Sequence, residues 1–244
     1  MGQVIIKDVT PKNPITLIGE MIGPCYGSDT SDSKKNYKRG MNSILAGHGR
    51  VLEYSDVWFI LDGYSARVIR EFYTHIGGAP TRTQASTRYI NEGDFKYYIP
   101  FRIENGNKEW LLDRYIDTMN NIQDTYKTLI DNGIPKEDAA NILPLGMTTT
   151  VAVRMNARTL MSMAEQRLCT RAYSEYRQLM RDIIQALKEY SEEWYILCSR
   201  IMKCKCDKVG WCEEEFSCGI YPKKQDVVVV PIDKDKSPEE FDNK

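Results

Sequence analysis

Two periodicities of hydrophobic and polar positions run through the chain, and together they predict a fold that mixes strands with helices. Residues 3–9 and 148–154 are rich in β-branched side chains, and residues 57–61 form a compact apolar run. Residues 96–103 alternate aromatic with aliphatic side chains. These segments are predicted as strands, because such runs are typical of a sheet. Apolar residues spaced three and four apart predict one long helix over residues 107–132.

Capping and helix-breaking residues place the remaining helices. Ser65 is a candidate N-cap for a helix that runs to about residue 75, where the Gly-Gly-Ala-Pro of residues 77–80 stops it. The other predicted helical segments are one of about ten residues that follows the polar loop 23–37 and ends near Gly47, a short turn over 135–138, a strongly helical stretch over 156–190 in one or two pieces, and a continuation over 192–203.

Composition and charge narrow the class of protein. The 244 residues are 42% hydrophobic and 27% charged, with a net charge of −1, which is typical of an ordinary globular protein. A dedicated nucleic-acid binder usually carries a basic excess, so we predict no nucleic-acid partner. Apolar runs fall far below the roughly 20 residues that span a bilayer, and Asp8 interrupts the N-terminal run too early for a secretory signal. We therefore predict a cytoplasmic protein with no membrane partner.

The seven cysteines, an odd number, favour reduced thiols over a disulfide framework. No linker rich in proline, glycine or serine divides the chain, so we predict a single domain over residues 1–222, followed by a charged, flexible tail over residues 223–244. The domain ends in a cysteine-rich segment, residues 204–219. Zinc sites usually contain Cys-x-x-Cys pairs, so we predict no metal here, with structural zinc as the alternative. The thiols concerned are Cys204, Cys206, Cys212 and Cys218.

Residues 156–177, arranged as one helix, place apolar side chains on a stripe with a polar margin beside it. Two arginines one turn apart, next to hydroxyl groups, can clamp an anion or a carbonyl group. The alternative is a solvated face on which the arginines pair with Glu165 and Glu175, while Asn156 is simply an N-cap. Both interpretations stay open. The polar margin consists of Asn156, Arg167, Thr170, Arg171 and Ser174.

Residues 77–89 form a second polar constellation. The segment contains three threonines, a serine and two arginines between two predicted elements. Backbone N–H groups and these side chains suit a phosphate or a polar heterocycle. The alternative interpretation is a structural turn followed by an edge strand.

Short motifs follow one another in order along residues 45–180. The central ones are Thr74-His75-Ile76, Ser86-Thr87-Arg88-Tyr89 and Tyr98-Ile99-Pro100. Upstream lies the segment from His48 through Glu53 to Tyr54, and downstream lie Leu143-Pro144, Asn156-Ala157-Arg158-Thr159-Leu160 and Arg167. Together they resemble the motifs of the flavin-dependent thymidylate synthases. That family has His-x-x-x-x-Glu-His, then a motif that begins Arg-His-Arg, runs to Ser-x-Arg-Tyr and is followed by Tyr-Ile-Pro, and then Leu-Pro, Asn-x-Arg-x-Leu and a following arginine.

The chain departs from the family at cationic positions. Thr74 and Ile76 stand where the family has two arginines that hold flavin and nucleotide phosphates. Ala140 stands where an arginine usually helps to hold the nucleotide phosphate. These replacements remove positive charge from an anionic site, so other cations are expected to compensate. The candidates are Arg82, Arg70 and Arg50.

The resemblance implies an enzyme, a flavin-dependent thymidylate synthase that methylates dUMP to dTMP. FAD is the implied cofactor, methylenetetrahydrofolate the one-carbon donor and NADPH the reductant. The implied fold is α/β, of the α+β type, in which a mostly antiparallel sheet packs against long helices. The implied assembly is a homotetramer with active sites between subunits.

The resemblance also implies roles for individual residues. Arg167 is the implied catalytic residue, which polarises the pyrimidine carbonyl group and favours electron density at C5. Ser86 is interpreted as a binding residue, not a nucleophile, because neither His48 nor His75 is placed in the sequence to activate it. The implied substrate-binding residues are Glu71, Gln84, Ala85, Ser86, Thr87, Arg88 and Arg167. The implied cofactor-binding residues are Arg50, Glu53, His75, Arg82, Asn156, Arg158, Ser162 and Arg171.

Two other functions stay open. The altered cationic positions favour, as one alternative, a related enzyme that methylates or hydroxymethylates C5 of another pyrimidine nucleotide. The second alternative belongs to another class, a non-catalytic nucleotide- or nucleic-acid-binding protein that uses residues 204–218 and the basic helix.

Overall fold

A computed structural model of the chain describes residues 2–75 and 81–227. The chain divides into two compact units, Met1–Cys204 and Lys205–Lys244. The single domain over residues 1–222 stays a prediction. Ile76, the predicted helix stop at residues 77–80 and most of the predicted tail lie outside the described residues.

A four-stranded antiparallel sheet organises the first unit. Its order is β1-β2-β4-β3, and β2 and β4 pair from Asp56 opposite Asn156 to Ser65 opposite Thr148. β3 lies at the sheet edge, which agrees with the edge strand in the alternative interpretation of residues 77–89. The predicted α+β class with an antiparallel sheet is confirmed. The strands are β1 (Gln3–Ile6), β2 (Asp56–Ser65), β3 (Thr81–Gln84) and β4 (Thr148–Asn156).

Helices cover the inner face of this sheet and extend beyond it. The helical stretch predicted over residues 156–190 forms two pieces, and the long helix predicted over 107–132 is confirmed with ends two and one residues shorter. Short 3-10 turns add Gly23–Tyr26, Gly49–Tyr54, Ala140–Ile142 and Lys224–Asp226. The helices are α1 (Pro14–Met21), α2 (Ser33–Leu45), α3 (Ala66–Phe72), α4 (Phe101–Glu104), α5 (Glu109–Asp131), α6 (Lys136–Ala139), α7 (Ala157–Arg167), α8 (Ser174–Tyr190), α9 (Glu192–Ile201) and α10 (Lys205–Val209).

Alternation along the two central strands directs one sheet face into the core. Val57, Phe59 and Leu61 of β2, and Val151 and Val153 of β4, are at most 4% exposed. Burial of each such side chain contributes about 1.5–3 kcal/mol, so this face decides which side of the sheet the helices cover. The helical side chains packed in the same cluster include Leu160, Met163, Tyr176, Leu179, Met180, Ile183, Leu187 and Trp194.

A bulge in β2 changes the alternation near its end. The register with β4 shifts between Asp62 and Tyr64, and Gly63 between them has a φ of 76°, which glycine adopts without strain. Because of the extra residue, Tyr64 occupies the next core position. Its hydroxyl group donates a hydrogen bond to Oδ2 of Asp182 at 2.8 Å.

Helices α1 and α2 cross where each has a glycine. A Cβ atom at Gly19 would lie 1.7 Å from the carbonyl oxygen of Asn36, and one at Gly40 would lie 2.1 Å from that of Ile15. No other residue fits this distance between the two backbones. α1 was not predicted from the sequence, because its eight residues are too few and too uniformly apolar to show a helical period.

The strand predicted over residues 96–103 is wrong. Tyr97 makes a single isolated bridge with Met147, and the chain enters α4 at Phe101. Pro100 precedes α4 and has no N–H group to donate, so regular strand pairing cannot continue through it. Phe95 and Tyr97 instead pack with residues of α5 in a second hydrophobic cluster.

Within residues 205–227, the described part of the second unit, the chain forms α10 and short turns. Glu213 accepts a hydrogen bond from Lys205 and lies 3.7 Å from Nζ of Lys224. The bond and the charge of Lys205 lower the pKa of Glu213. Cys212 is buried and forms a bridge with Lys223. None of the helices in the described ranges has the length and apolar character needed to cross a membrane.

The start of α1 depends on Glu193 of α9. Oε2 of Glu193 accepts hydrogen bonds from the backbone N–H groups of Ile15, at 2.7 Å, and Thr16, at 2.9 Å, whereas Asn13 provides no side-chain cap. Glu193→Ala leaves these donors unsatisfied, so we expect the free energy of unfolding to fall by about 1–3 kcal/mol in urea titration. The matched control Glu192→Ala removes an exposed carboxylate of the same turn and should change it by less than about 0.5 kcal/mol. Equal losses for the two variants would contradict the capping role.

Candidate active site

Arg167, the last residue of α7, is held by side chains from α3, α8 and the residues that follow α3. Its Nε–H group donates a hydrogen bond to Nε2 of His75 at 2.8 Å. Its Nη1 atom lies 4.0 Å from Oε2 of Glu71, and its guanidinium carbon lies 4.6 Å from the centre of the Tyr176 ring. The Arg167 side chain is only 24% exposed. The four residues are called the Arg167 cluster. In it, His75, Glu71 and Tyr176 hold the positively charged guanidinium group of Arg167 in one orientation.

Tyr176 is the member of the Arg167 cluster that was not predicted from the sequence. It is fully buried, and its ring meets that of His75 edge to face at 5.9 Å. Burial raises the pKa of Tyr176, so the phenol is neutral and its ring face attracts the guanidinium group. In the sequence it is one aromatic residue at core spacing on α8, and only the folded chain distinguishes it from its neighbours.

His75 is a hydrogen-bond acceptor in this cluster. Because Nε2 accepts from Arg167, the proton of the neutral ring is on Nδ1. Burial, and then the positive charge of Arg167, lower the pKa of His75. Protonation would remove the acceptor and place two cations in contact, so the neutral ring belongs to the observed arrangement.

Two further predicted residues, Arg82 and Gln84, lie on strand β3, and both contact Tyr73, which follows α3. The Arg82 guanidinium carbon lies 4.0 Å from the centre of the Tyr73 ring. The Tyr73 hydroxyl group donates to Oε1 of Gln84 at 3.0 Å, and Nε2 of Gln84 donates to Oγ1 of Thr149 at 3.3 Å. The backbone N–H of Ala85 donates to Thr150 at 2.9 Å, which extends the pairing of β3.

A second cluster, called the Arg158 cluster, lies at the N-terminus of α7 and consists of Glu53, Asn156 and Arg158. Oδ1 of Asn156 accepts a hydrogen bond from the N–H of Thr159 at 2.9 Å, so the predicted N-cap is confirmed. Arg158 forms an ion pair with Glu53, and the two side chains are 48% and 42% exposed. At 1.5 Å per residue, Arg158 lies about 14 Å from Arg167 along the helix axis.

Two other predicted cofactor residues lie beside the Arg158 cluster. The Ser162 hydroxyl group donates to the carbonyl oxygen of Arg158 one turn earlier, at 3.2 Å. Arg50 is exposed in the 3-10 turn Gly49–Tyr54, which also contains Glu53. The structure therefore brings five predicted cofactor residues, Arg50, Glu53, Asn156, Arg158 and Ser162, to the N-terminal half of α7.

A third cluster, called the Arg88 cluster, contains Ser86, Arg88, Lys136 and Glu137. Nε of Arg88 donates to Oε2 of Glu137 at 3.0 Å, and the backbone N–H of Arg88 donates to Oγ of Ser86 at 3.3 Å. Nζ of Lys136 donates to the carbonyl oxygen of Tyr89 at 2.8 Å. Thr87 is partly buried between Ser86 and Arg88. Lys136 had no signal in the sequence, because it is nearly fifty residues from the segment that it contacts.

The polar margin predicted on one continuous helix is wrong beyond Arg167. α7 ends at Arg167 and α8 begins at Ser174, so Thr170 and Arg171 lie in the connection, where Arg171 is exposed. On a continuous helix Arg167 and Tyr176 would be about 14 Å apart and on opposite faces. Their 4.6 Å contact therefore requires the break.

One interpretation of the sequence paired Glu175 with the arginines on a solvated face. For Glu175 this is wrong, because the side chain is buried. It is 4% exposed. Its carboxylate accepts hydrogen bonds from the N–H of Ser65 at 2.7 Å, from Oγ of Ser65 at 2.6 Å and from the Tyr173 hydroxyl group at 3.2 Å. Glu175 thus joins the start of α8 to the start of α3.

A cleft of about 910 Å³ is lined by Lys96, Tyr97, Arg177 and Arg181 among others, and also by Ser174 of the predicted polar margin and by Tyr98 and Ile99 of the Tyr-Ile-Pro motif. None of the predicted catalytic, substrate or cofactor residues lines it. Over residues 2–75 and 81–227, no group of three or more His, Cys, Asp or Glu side chains is placed to hold a metal ion.

The three clusters differ in what they offer a ligand. The Arg167 cluster presents a fixed, partly buried cation beside a neutral imidazole. The Arg158 and Arg88 clusters present exposed guanidinium groups whose carboxylate partners can exchange for an anionic ligand. This combination suits molecules that carry both a polar heterocycle and phosphate groups.

A family model and individual relatives both show similarity of this chain to thymidylate synthases. Residues 7–191 match the family model described as thymidylate synthase complementing protein. A flavin-dependent thymidylate synthase of Saccharolobus solfataricus is 32% identical over 150 residues, which are 61% of this chain and 55% of the relative. One of Nitratidesulfovibrio vulgaris is 27% identical over 192 residues, 75% and 76% of the two chains. The chain thus spans little more than half the length of the first of these relatives.

A solved structure extends the comparison to the fold. The crystal structure of thymidylate synthase X from Helicobacter pylori, described with FAD and dUMP, aligns with a TM-score of 0.61. The alignment covers 82% of this chain and 99% of that one, at 19% identity. The likeness therefore bears out the antiparallel α+β architecture.

His75 is expected to titrate below the ordinary value of 6.5, with its proton on Nδ1. Between the folded pKa and 6.5 the unfolded chain binds more protons, so the contribution of His75 to stability is complete above 6.5 and is lost as the pH falls through the folded pKa. The NMR chemical shifts of the ring nitrogen atoms measure both the pKa of His75 and the position of its proton. The His75→Gln variant distinguishes the signals of His75 from those of His48. Arg167→Gln should raise the pKa of His75, because it removes the positive charge that lowers it. A titration at or above 6.5, or a proton on Nε2, would exclude this arrangement.

Proposed function

Since this chain belongs to the thymidylate synthase complementing protein family, we propose that it is a flavin-dependent thymidylate synthase. In this proposal it methylates dUMP to dTMP, with FAD as cofactor, methylenetetrahydrofolate as one-carbon donor and NADPH as reductant. The observation that carries the proposal is the fixed guanidinium group of Arg167, bound by His75 and Glu71 and stacked on Tyr176.

Arg167 polarises the pyrimidine ring in this proposal. A guanidinium group that donates to a carbonyl oxygen of the uracil stabilises the negative charge that builds up there as C5 gains electron density. The contribution depends on a fixed direction and on partial exclusion of water, because a mobile, solvated cation must reorganise during the reaction. The three partners of Arg167 supply both conditions. Because His75 binds the Nε–H group, the terminal nitrogen atoms of Arg167 keep N–H donors for a substrate.

The Arg158 cluster fits the flavin cofactor. The exposed guanidinium of Arg158 and the capped N-terminus of α7 are a donor set that suits the diphosphate of a dinucleotide. Asn156 and Glu53 lie at the same end of the helix, Ser162 lies one turn after Arg158, and we assign Arg50, Arg82 and Arg171 to the same cofactor. FAD, when bound, supplies the redox chemistry, and His75 connects its binding to Arg167.

The segment from Gln84 to Arg88 holds the nucleotide in this proposal. Its backbone is anchored to the sheet through Gln84 and Ala85, which fixes the position of the polar groups that follow. Ser86, Thr87 and Arg88 then contribute a hydroxyl-rich, cationic surface, and Glu71 reaches the same substrate from α3. Ordering these groups before binding lowers the entropic cost of holding the substrate.

We further propose a cytoplasmic homotetramer with active sites between subunits. Support comes from the exposure of the Arg158 and Arg88 clusters, which present binding groups without enclosing a ligand. A neighbouring copy would complete the enclosure. Size-exclusion chromatography with light scattering measures the assembly directly.

One observation favours a second candidate function within the same class of enzymes. Ala140 and the Arg88–Glu137 ion pair alter the cationic side of the predicted nucleotide site. Such a change suits a related pyrimidine nucleotide, or addition of a hydroxymethyl group instead of a methyl group. The reaction products distinguish these functions from each other.

Absorbance and product analysis test the proposal. The purified protein should be yellow, or become so with added FAD, and should convert dUMP to dTMP in the presence of methylenetetrahydrofolate and NADPH. A hydroxymethylated product, or turnover of another pyrimidine nucleotide alone, would favour the second candidate. A colourless protein that binds no FAD would exclude both.

Replacement of Arg167 tests the role of its guanidinium group. Arg167→Lys keeps the charge but loses the planar set of donors, so we expect kcat/KM for dUMP to fall by about a hundredfold, as when one oxyanion donor is removed. Arg200→Lys is the matched control, because Arg200 is exposed at the end of α9, and it should retain activity within about twofold. Retention of half or more of kcat/KM by Arg167→Lys would rule out this role.

A further inference from the structure

A groove of about 400 Å³ lies between α2 and residues 26–28. Five of its lining residues are spaced three and four apart, so they form one continuous face of α2. These residues are Lys35, Lys38, Arg39, Asn42 and Ser43. None of the residues assigned to the candidate active site lines the groove, so the proposed reaction gives it no role.

Positive charge dominates this face of α2. Lys35, Lys38 and Arg39 line the groove, and no acidic side chain among the described residues lines it with them. Lys35 lies 3.7 Å from Asp32, but its side chain is 72% exposed, so this pair contributes little and exchanges easily for another anion. Lys38 and Arg39 form no ion pair within the described part of the chain. Like charges on adjacent turns repel one another, and a bound anion would offset that repulsion.

Arg39 is held in place by neutral acceptors. Its Nη1 atom donates to the carbonyl oxygen of Gly19 at 2.7 Å and to Oδ1 of Asn36 at 2.8 Å, and Nη2 donates to the carbonyl oxygen of Asp29 at 3.2 Å. These bonds fix the guanidinium group without neutralising its charge. Because a guanidinium group has five N–H donors, Nε and Nη2 each keep one for a ligand. A fixed cation of this kind suits an anionic ligand.

Neutral donors and an aromatic ring complete the lining of the groove. Asn42 and Ser28 offer an amide and a hydroxyl group, both of which donate to phosphate oxygen atoms. The backbone N–H of Ser28 donates to the carbonyl oxygen of Gly23 at 3.2 Å, which fixes the turn. The Tyr26 side chain is 63% exposed, and an exposed ring beside cations is suited to stack on a planar base. The volume is near the lower end of the range for small-molecule sites, roughly 300–1,000 Å³.

We propose that this groove is a second nucleotide site, which binds a nucleoside monophosphate separately from the reaction. The phosphate group accepts hydrogen bonds from Arg39 and from the ammonium groups of Lys35 and Lys38, while the base stacks on Tyr26. A terminal phosphate carries about two negative charges near neutral pH, so it offsets more of the positive charge than the phosphodiester of a nucleic acid. The proposal does not rest on the proposed function, because it involves no substrate of that reaction.

Calorimetric titration of the full chain, with and without saturating FAD, tests this proposal. The probes are AMP, adenosine, which lacks the phosphate, and inorganic phosphate, which lacks the base. A purine is chosen to avoid a pyrimidine site, and ionic strength is kept low because salt screens exposed charges. AMP should bind about tenfold more tightly than either of the other probes, in the presence of FAD as in its absence.

Two variants separate the phosphate contact from the base contact. Lys38→Met should weaken AMP and inorganic phosphate about tenfold and leave adenosine unchanged, since one charge-assisted contact is lost. Tyr26→Ala should weaken AMP and adenosine about tenfold and leave inorganic phosphate unchanged, since stacking is lost. Both side chains are exposed, so the variants should fold. The matched control Lys34→Met removes an exposed lysine of the same helix that does not line the groove, and should leave all three affinities within about twofold.

Three results would overturn the second site. Equal losses of AMP affinity in Lys34→Met and Lys38→Met would mean that only the general charge of α2 attracts anions. AMP that binds no more tightly than adenosine would exclude a phosphate contact. AMP binding that saturating FAD abolishes would make the groove a part of the cofactor site. If AMP binds as expected but no dTMP forms, the second site stands and the proposed function fails.

Discussion

The junction between β4 and α7 at Asn156 is the constraint on which the candidate site depends. Asn156 is the last residue of the central strand, opposite Asp56, and its side chain caps the helix through the N–H of Thr159. Strand and helix therefore follow one another without a flexible loop, so the direction of α7 is set by the sheet. Arg158 and Arg167, at the two ends of this helix, inherit their positions from that junction.

A second set of contacts fixes the partners of Arg167. Glu175, buried at the start of α8, accepts hydrogen bonds from Ser65, the N-cap of α3. Because α3 carries Glu71 and leads to His75, while α8 carries Tyr176, one buried carboxylate aligns both elements that hold the guanidinium group. Such a buried, fully bonded carboxylate is costly to disturb, which makes the cluster rigid.

The cationic groups of the site divide by exposure. Arg167 is partly buried and bound by neutral and aromatic groups as well as by Glu71. Arg158 and Arg88 are exposed and each pairs with one carboxylate. A reaction that builds charge on a heterocycle needs a fixed cation, whereas phosphate groups that enter and leave need cations whose partners exchange easily. The structure meets the two requirements with different surroundings for the same type of residue.

The sequence by itself determined the elements whose signals are local: the central strands, the long α5, the caps Ser65 and Asn156, and the motifs that indicate the family. It failed where tertiary contacts decide, at α1, which needs Glu193, and at residues 96–103, where Pro100 ends the pairing and the aromatic side chains pack on α5. Only the tertiary structure decided that the helix ends at Arg167, and this break brings Tyr176 into contact with Arg167. Only the fold placed Lys136 beside Tyr89. Periodicity and capping act within a few residues, but which distant side chains meet is settled by the burial of the whole core.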